Sequence, residues 1–402
     1  MSFTNARRDV ALVAAAKSVS WLGDEVALVA LLLHAHDGGH GAGVVAGILV
    51  ANALPIVLLS GVVGRLVDRH DNRALLAASS VAQAAVCAVL AFVPSQPVVL
   101  GLLALLGAGQ AVNAATWSAL LPVIVTAERL PRAVGAVQAG TTSAGLVAPA
   151  LGGVLFGAFG TRVPLLVDAV TFLLVLCAGL AIRTRRRVVV TASGRADGGL
   201  AVVRRDPLLR PLFVLLAVFV MLGSTVNVID VFLVRATLHA SAIWYGVTGA
   251  AFSAGALSGA LLAGRFRSAP TLARGFVGAC AGLAIGLIAM GCAPSVVALL
   301  PVAFVTGGAN GALVVALNAL VMGAAAPAER GRVGALLGGV ASAMQLIAFV
   351  AGGLLAGMLT PRAAFVLAGV CGLAAPVLLG RRVVRAAAVP HTADSTVMEA
   401  VA

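Results

Sequence analysis

The chain has 402 residues, 61% of them hydrophobic and only 10% charged, with a formal net charge of +13. An average soluble domain carries about a quarter charged residues, so the composition excludes a water-soluble globular protein and fits a chain that turns apolar surface to lipid. In such a chain the position of the basic residues matters more than their sum, and the excess is no sign of nucleic-acid binding.

Apolar runs of about 20 residues, enough to cross ~30 Å of hydrocarbon as helix, recur twelve times. They lie at 10–34, 42–63, 74–93, 97–125, 134–158, 163–182, 208–236, 242–263, 275–293, 295–325, 334–358 and 362–380. "MSFTNARR" leads into a first run that contains charges and is too long for the apolar core of a signal peptide, so that run is expected to be retained.

The first run holds Lys17, Asp24 and Glu25. An ionisable side chain inside a span costs a few kcal/mol and is a functional suspect by default. Lys17 and Asp24 share a helical face with Ser20 and Trp21 between them, while Glu25 points roughly 100° away. Asp24 or Glu25 would bind and release a proton as a cavity changes sides; a structural ion pair, or a carboxylate near the outer interface, is the alternative. Trp21 is the aromatic expected nearest a substrate. His34, His36 and His40 follow in "HAHDGGHG", where the absence of a second ligand cluster favours a solvated loop over a metal site.

The second run contains Asn52 and ends in "GVVGRLVDRHDNRALL" (61–76), a dense cluster of mixed charge. In the fourth run, "LLALLGAGQAVNAATWSALLP" has no ionisable residue but offers Gln110 and Asn113. Together with Asn52, Gln138, Asn310, Asn318 and Gln345, these amides need partners at lipid depth. They would bond between helices or line a cavity, with Asn113 and Asn310, in glycine-rich runs, the better cavity candidates. Asp168 opens the sixth run near Arg162 and is expected at the outer interface. The polar stretch 183–206 divides the runs six and six and is read as a solvated linker. In the seventh run Asp230 follows Asn227 by three positions, on one face, and is a candidate for cation binding or proton coupling; a hydrogen-bonded structural acid close to the outer surface, five positions before Arg235, is the alternative.

The five cysteines sit inside apolar runs without metal-ligand spacing and are read as packing residues. No G-x-x-x-x-G-K-[ST] phosphate loop occurs, so neither ATP hydrolysis nor any other enzymatic activity is expected, and no cofactor is implied. With the N-terminus inside, the inner segments hold 23 basic residues and the outer loops only Arg162, Arg235 and Arg362. Both termini are therefore expected in the cytoplasm. Of the 27 basic residues 26 are arginine, which suggests a GC-rich bacterial genome.

The halves resemble each other. "AERLPRAVG" (127–135) echoes "AERGRVG" (328–334), Gly64-Arg65 echoes Gly264-Arg265, and Gly152-Gly153 echoes Gly352-Gly353. A parallel duplication about an axis along the membrane normal is an architecture of secondary transporters.

At these residues the chain resembles the major facilitator superfamily. "GRLVDRHDNR" (64–73) is similar to its G-x-L-A-D-R-x-G-R-R loop signature, with Gly64, Leu66, Asp68, Arg69 and Arg73 in place and Asp71 and Asn72 departing from it. The AER repeats and "VDAVTFLL" (167–174) resemble the exporter branch that handles drugs, macrolides and siderophores. "GLVAPALGG" (145–153) keeps part of the antiporter signature, with Ala148 in place of the glycine before Pro149. The arginine that many proton-coupled members carry in the fourth span is missing.

The resemblance implies an all-α membrane protein of twelve transmembrane helices in two pseudo-symmetric six-helix bundles. These would be residues 1–182 and 208–380, joined by a cytoplasmic linker (183–207) and followed by a cytoplasmic tail (381–402). It further implies a monomeric secondary transporter in a bacterial inner membrane, exporting a lipophilic small molecule against protons by alternating access. Proton-coupled uptake, and a non-transporting receptor or assembly factor on the same fold, are the alternatives. Gly64, Asp68, Arg69 and Arg73 would form a conformational latch, Asp68 accepting from the N-terminus of a helix in the second half.

Overall fold

The structure, a computed structural model, describes residues 3–93, 95–126, 128–182, 197–266, 268–327 and 329–388. Most of the expected linker (183–196), the end of the tail (389–402), and Ala127 and Ala328 of the AER repeats lie outside them. The described residues are almost entirely helical.

The helices are α1 (Phe3–Asp37), α2 (Ala42–Arg69), α3 (Asn72–Leu90), α4 (Gln96–Ile124), α5 (Leu130–Phe159), α6 (Arg162–Ala181) and α7 (Asp197–Arg205). They continue with α8 (Leu209–Phe232), α9 (Ala242–Ala263), α10 (Ala269–Cys292), α11 (Val296–Ala324), α12 (Arg330–Leu355) and α13 (Pro361–Ala387). All but α7 are long and apolar enough to span a bilayer, twelve in all among the described residues.

Local chemistry sets several ends. Asp71 is the N-cap of α3, its carboxylate accepting from the Arg73 backbone N–H at 2.7 Å. Its departure from the loop signature thus has a local use. Ser268 and Thr360 cap α10 and α13, each with a proline in the first turn. This starts α10 six residues before the apolar run at 275. Gly160 closes α5 at φ +67°, a conformation that suits a residue without Cβ.

The chain forms two compact units, one of residues 1–192 and 234–250, the other of 193–233 and 251–402. In the first, α1 packs on α5 and α6, α3 on α4 and α6, and α2 on α4, around a core that includes Val13, Leu76, Trp117, Leu120 and Val175. The stretch 234–250 joins this unit through Arg235, which lies in a π-helical turn (Leu233–Thr237). Its guanidinium pairs with Asp37 at 2.6 Å and donates to Ala240 O at 2.8 Å. Gly246 then lies so near Gly153 that a Cβ on Gly153 would stand 3.0 Å from the Gly246 Cα.

In the second unit α8 packs on α12 and α13, and α10 on α11 and α13, around Leu209, Leu212, Leu215, Phe276 and Leu317. The end of the expected linker folds as α7, which packs on α12 and buries Val203. A Cβ on Gly199 would lie 2.8 Å from Arg332 O.

The duplication extends to individual contacts within each unit. Gly152 packs against Val29 and the Val26 carbonyl, and Gly352 against Val228 and the Thr225 carbonyl. Likewise Gly107 lies under the Asn52 carbonyl and Gly307 under the Phe252 carbonyl. Lipid-solvated helices gain little from apolar burial alone, so close backbone approach at glycine is a main source of their packing.

Candidate functional site

In the first unit, polar side chains from four helices meet at membrane depth. Asp24, half-buried on α1, accepts a hydrogen bond from Gln110 Nε2 of α4 at 2.9 Å. Asp168 of α6 lies near enough for the two carboxylates to repel each other when both are ionised. It is only 2% exposed, and its Oδ2 accepts from the Cys87 thiol at 3.2 Å and its Oδ1 from the Thr171 hydroxyl at 3.1 Å. Gly23 makes room for this: a Cβ there would run into Asp168 Oδ1 and the Thr171 side chain.

A second layer lies between α3 and α4. Asn113 is buried, donates to Gln83 Oε1, and accepts from Ser79 Oγ at 2.7 Å. Gln83 Nε2 in turn reaches Leu106 O at 3.5 Å. Ser79, Gln83 and Cys87 recur at every fourth position of α3, so one face of that helix carries the whole set. The network supplies partners for polar groups that would otherwise be stranded in hydrocarbon.

The other sequence candidates are more dispersed. Lys17 and Glu25 are half-buried, and among the described residues no ion pair joins Lys17 to Asp24. Trp21 is 47% exposed and its indole packs beside Gly145 of α5. Asn52 is half-buried on α2. In the second unit Asp230 is half-buried with its Oδ1 enclosed and without a hydrogen-bond partner. Asn227 is exposed, Asn310 half-buried, and Asn318 bonded within its own helix to Val314 O at 2.8 Å.

At the end of α2, Gly64 and Asp68 are half-buried and Arg69 is exposed. Arg73 donates to Leu180 O and Ile182 O, both at 2.6 Å, covering carbonyls left open at the end of α6. The described residues contain no group of three or more His, Cys, Asp and Glu side chains suited to a metal ion.

A model of the Major Facilitator Superfamily matches residues 13–282. The chain belongs to this superfamily. Its members are transporters and not, in general, enzymes, and this member is a multi-pass membrane protein with the superfamily fold.

Solved structures agree on that fold. A bacterial homologue of the human lysosomal transporter Spinster is 14% identical, with 96% of this chain and 98% of that one aligned at a TM-score of 0.72. A variant of the nucleoside transporter NupG is 10% identical over 94% and 99%, at 0.71. The human organic anion transporter MFSD10 (TETRAN) is 16% identical over 93% and 99%, at 0.62. No curated protein sequence matches the chain.

The sequence reading does not find Ser79, Gln83 or Thr171, takes Cys87 for a packing residue and expects Asp168 elsewhere. Nearness to Arg162 in the chain points Asp168 to the outer interface. In the fold α6 starts at Arg162, so Asp168 is nearly two turns inside, and Arg162 stands over the Phe92 ring instead. Gln83 was not singled out, although its four-residue spacing from Ser79 and Cys87 was a readable signal.

The superfamily member should be sensitive at Gly23. Gly23→Ala is expected to lower both its thermal midpoint and its transport rate, by pushing Asp168 and Thr171 away from Asp24. Gly43→Ala, where a Cβ meets nothing within 4 Å, should change neither in the same two assays.

Proposed function

We propose that this superfamily member exports a lipophilic small molecule, such as a drug, siderophore or other secondary metabolite, by proton antiport and alternating access. It works as a monomer in a bacterial inner membrane with both termini in the cytoplasm. Its moving parts are the bundles 1–182 and 208–380, joined by the cytoplasmic linker. The observation that carries this reading is the Asp24 carboxylate, held by Gln110 inside a membrane span beside a second carboxylate, Asp168.

A carboxyl group at that depth is costly unless it has a use, and two neighbouring carboxylates resist being charged together. One proton can therefore be held by the pair and exchanged when the site opens to water. The fourth span has no ionisable residue, which leaves the acids of α1 and α6 to do this in the first unit. Asp230 is the candidate acid of the second unit, with Glu25 and Lys17 setting the local charge in the first. Trp21, Asn52, Asn227 and Asn310 contact the cargo. The AER repeats and the partial antiporter signature around Pro149 support export over uptake.

The test is transport by the purified chain in proteoliposomes with an imposed pH gradient. A gradient that drives accumulation of a lipophilic dye, with counter-movement of protons, supports antiport. Accumulation in the same direction as the protons would overturn it.

At the end of α2 we assign Gly64, Asp68, Arg69 and Arg73 to a conformational latch that acts during the cycle and does not bind cargo. Asp68→Asn is accordingly expected to slow transport severalfold while equilibrium substrate binding, measured by titration calorimetry, stays unchanged. Equal loss of both would mark a folding role instead.

A further inference from the structure

The first unit contains a cavity of about 540 Å3 away from the carboxylates, at the end where α1 meets α2, α3 meets α4 and α5 meets α6. Its wall is mostly apolar, with Phe92, Phe156 and Phe159 among the lining residues, and His34, Gln96, Thr161 and Arg162 are its polar members. Phe92 and Phe159 are 64% and 62% exposed, so they flank an open mouth.

Three further observations give the cavity a preferred charge. Arg162 makes no ion pair among the described residues; its guanidinium carbon stands 5.5 Å from the Phe92 ring centre. It is also one of only three basic residues on the side that membrane orientation leaves poor in them, so orientation does not account for it. The cavity lies at the N-termini of α4 and α6, whose N-cap side chains, Ser95 and Thr161, make no capping bond. The corresponding residues of the second unit, Ser295 and Thr360, both cap their helices. Finally, Gln96 lines the cavity with a buried Oε1 that has no hydrogen-bond partner.

We propose that this cavity binds the head of an anionic glycerophospholipid. The phosphate takes the Arg162 guanidinium and the open N–H groups at the start of α6, both suited to an anion. A head-group hydroxyl donates to Gln96 Oε1, and the first methylenes of the chains leave between Phe92 and Phe159. A soluble phosphate ester shares the polar chemistry but has nothing to place on the aromatic wall, which favours the lipid. The site is separate from Asp24 and Asp168 and does not depend on the proton-antiport reading.

The experiment uses the full chain in detergent and a phosphatidylglycerol with a photoactivatable group near the glycerol backbone, with cross-linked peptides mapped by mass spectrometry. Cross-links are expected within 91–99 and 156–165. They should fall at least fivefold in Arg162→Gln and in Gln96→Leu, both checked for an unchanged gel-filtration profile. Arg381→Gln, on another helix, should leave them unchanged. Cross-linking that is equally strong with the phosphatidylcholine analogue, or undiminished in both cavity variants, would overturn the proposal. Full displacement by millimolar glycerol phosphate would overturn the lipid assignment and leave a soluble phosphate ester as the ligand.

Discussion

Asp24→Asn is expected to cut proton-driven transport in proteoliposomes at least tenfold, equivalent to ~1.4 kcal/mol or more on the limiting step. Exchange of labelled for unlabelled cargo without a gradient should persist. The asymmetry follows from the geometry. An asparagine can still accept from Gln110 Nε2, now 2.9 Å from the carboxylate, so the α1–α4 contact survives while the exchangeable proton is lost. Parallel loss of exchange and driven transport would make Asp24 a packing residue of the polar network. Unchanged driven transport would move coupling elsewhere, and Asp230→Asn is the next variant to measure.

Gly307→Ala is expected to be strongly damaging for so conservative a substitution. In the second unit α9 and α11 meet along Gly255, Gly259, Gly307 and Gly311. A Cβ at Gly307 would lie 2.8 Å from the Phe252 carbonyl carbon and 3.0 Å from its Cα. Backbone cannot rotate away as a side chain can, so the helices must part, and overpacking of this kind costs about 1–3 kcal/mol. The thermal midpoint in detergent should drop by several degrees. Gly308 is the internal control: its Cβ would meet nothing nearer than the Gly255 carbonyl at 3.6 Å, and Gly308→Ala should unfold with the wild type. Equal midpoints for the two variants would show that the seam is looser than the distances imply.

The transmembrane helices were legible in the sequence because a span must be apolar over its whole length, and each run stands out against polar punctuation. The starts of α5 and α10 were less so, since Leu130 and Ala269 belong to the helices but precede the apolar runs. The short helix α7 was hidden for another reason. Its glycine pair and two valines disfavour helix locally, and it packs against α12, a contact that a local reading does not see. At the polar site, Asp24 announced itself as a charge among leucines, valines and alanines. Asn113 was visible as a polar group at depth, but its partners Gln83 and Ser79 depend on how α3 is rotated against α4. Asp168 was misplaced because nearness in sequence to Arg162 suggested a shared surface, whereas a helix turns the two residues to different levels and faces.

The seat of residues 234–250 bears on how the protein is made. The Asp37–Arg235 pair joins residues 198 positions apart, and the first unit takes in a stretch that leaves the ribosome only after the segment 193–233 of the second. Domains usually fold in order of synthesis, N-terminal first. Here the first unit has all its own parts only once translation has passed residue 250, so its assembly must wait for the insertion of α8. A nascent chain arrested before that point would present α5 with Gly153 uncovered, a bare small-residue surface of the kind that membrane quality control can engage.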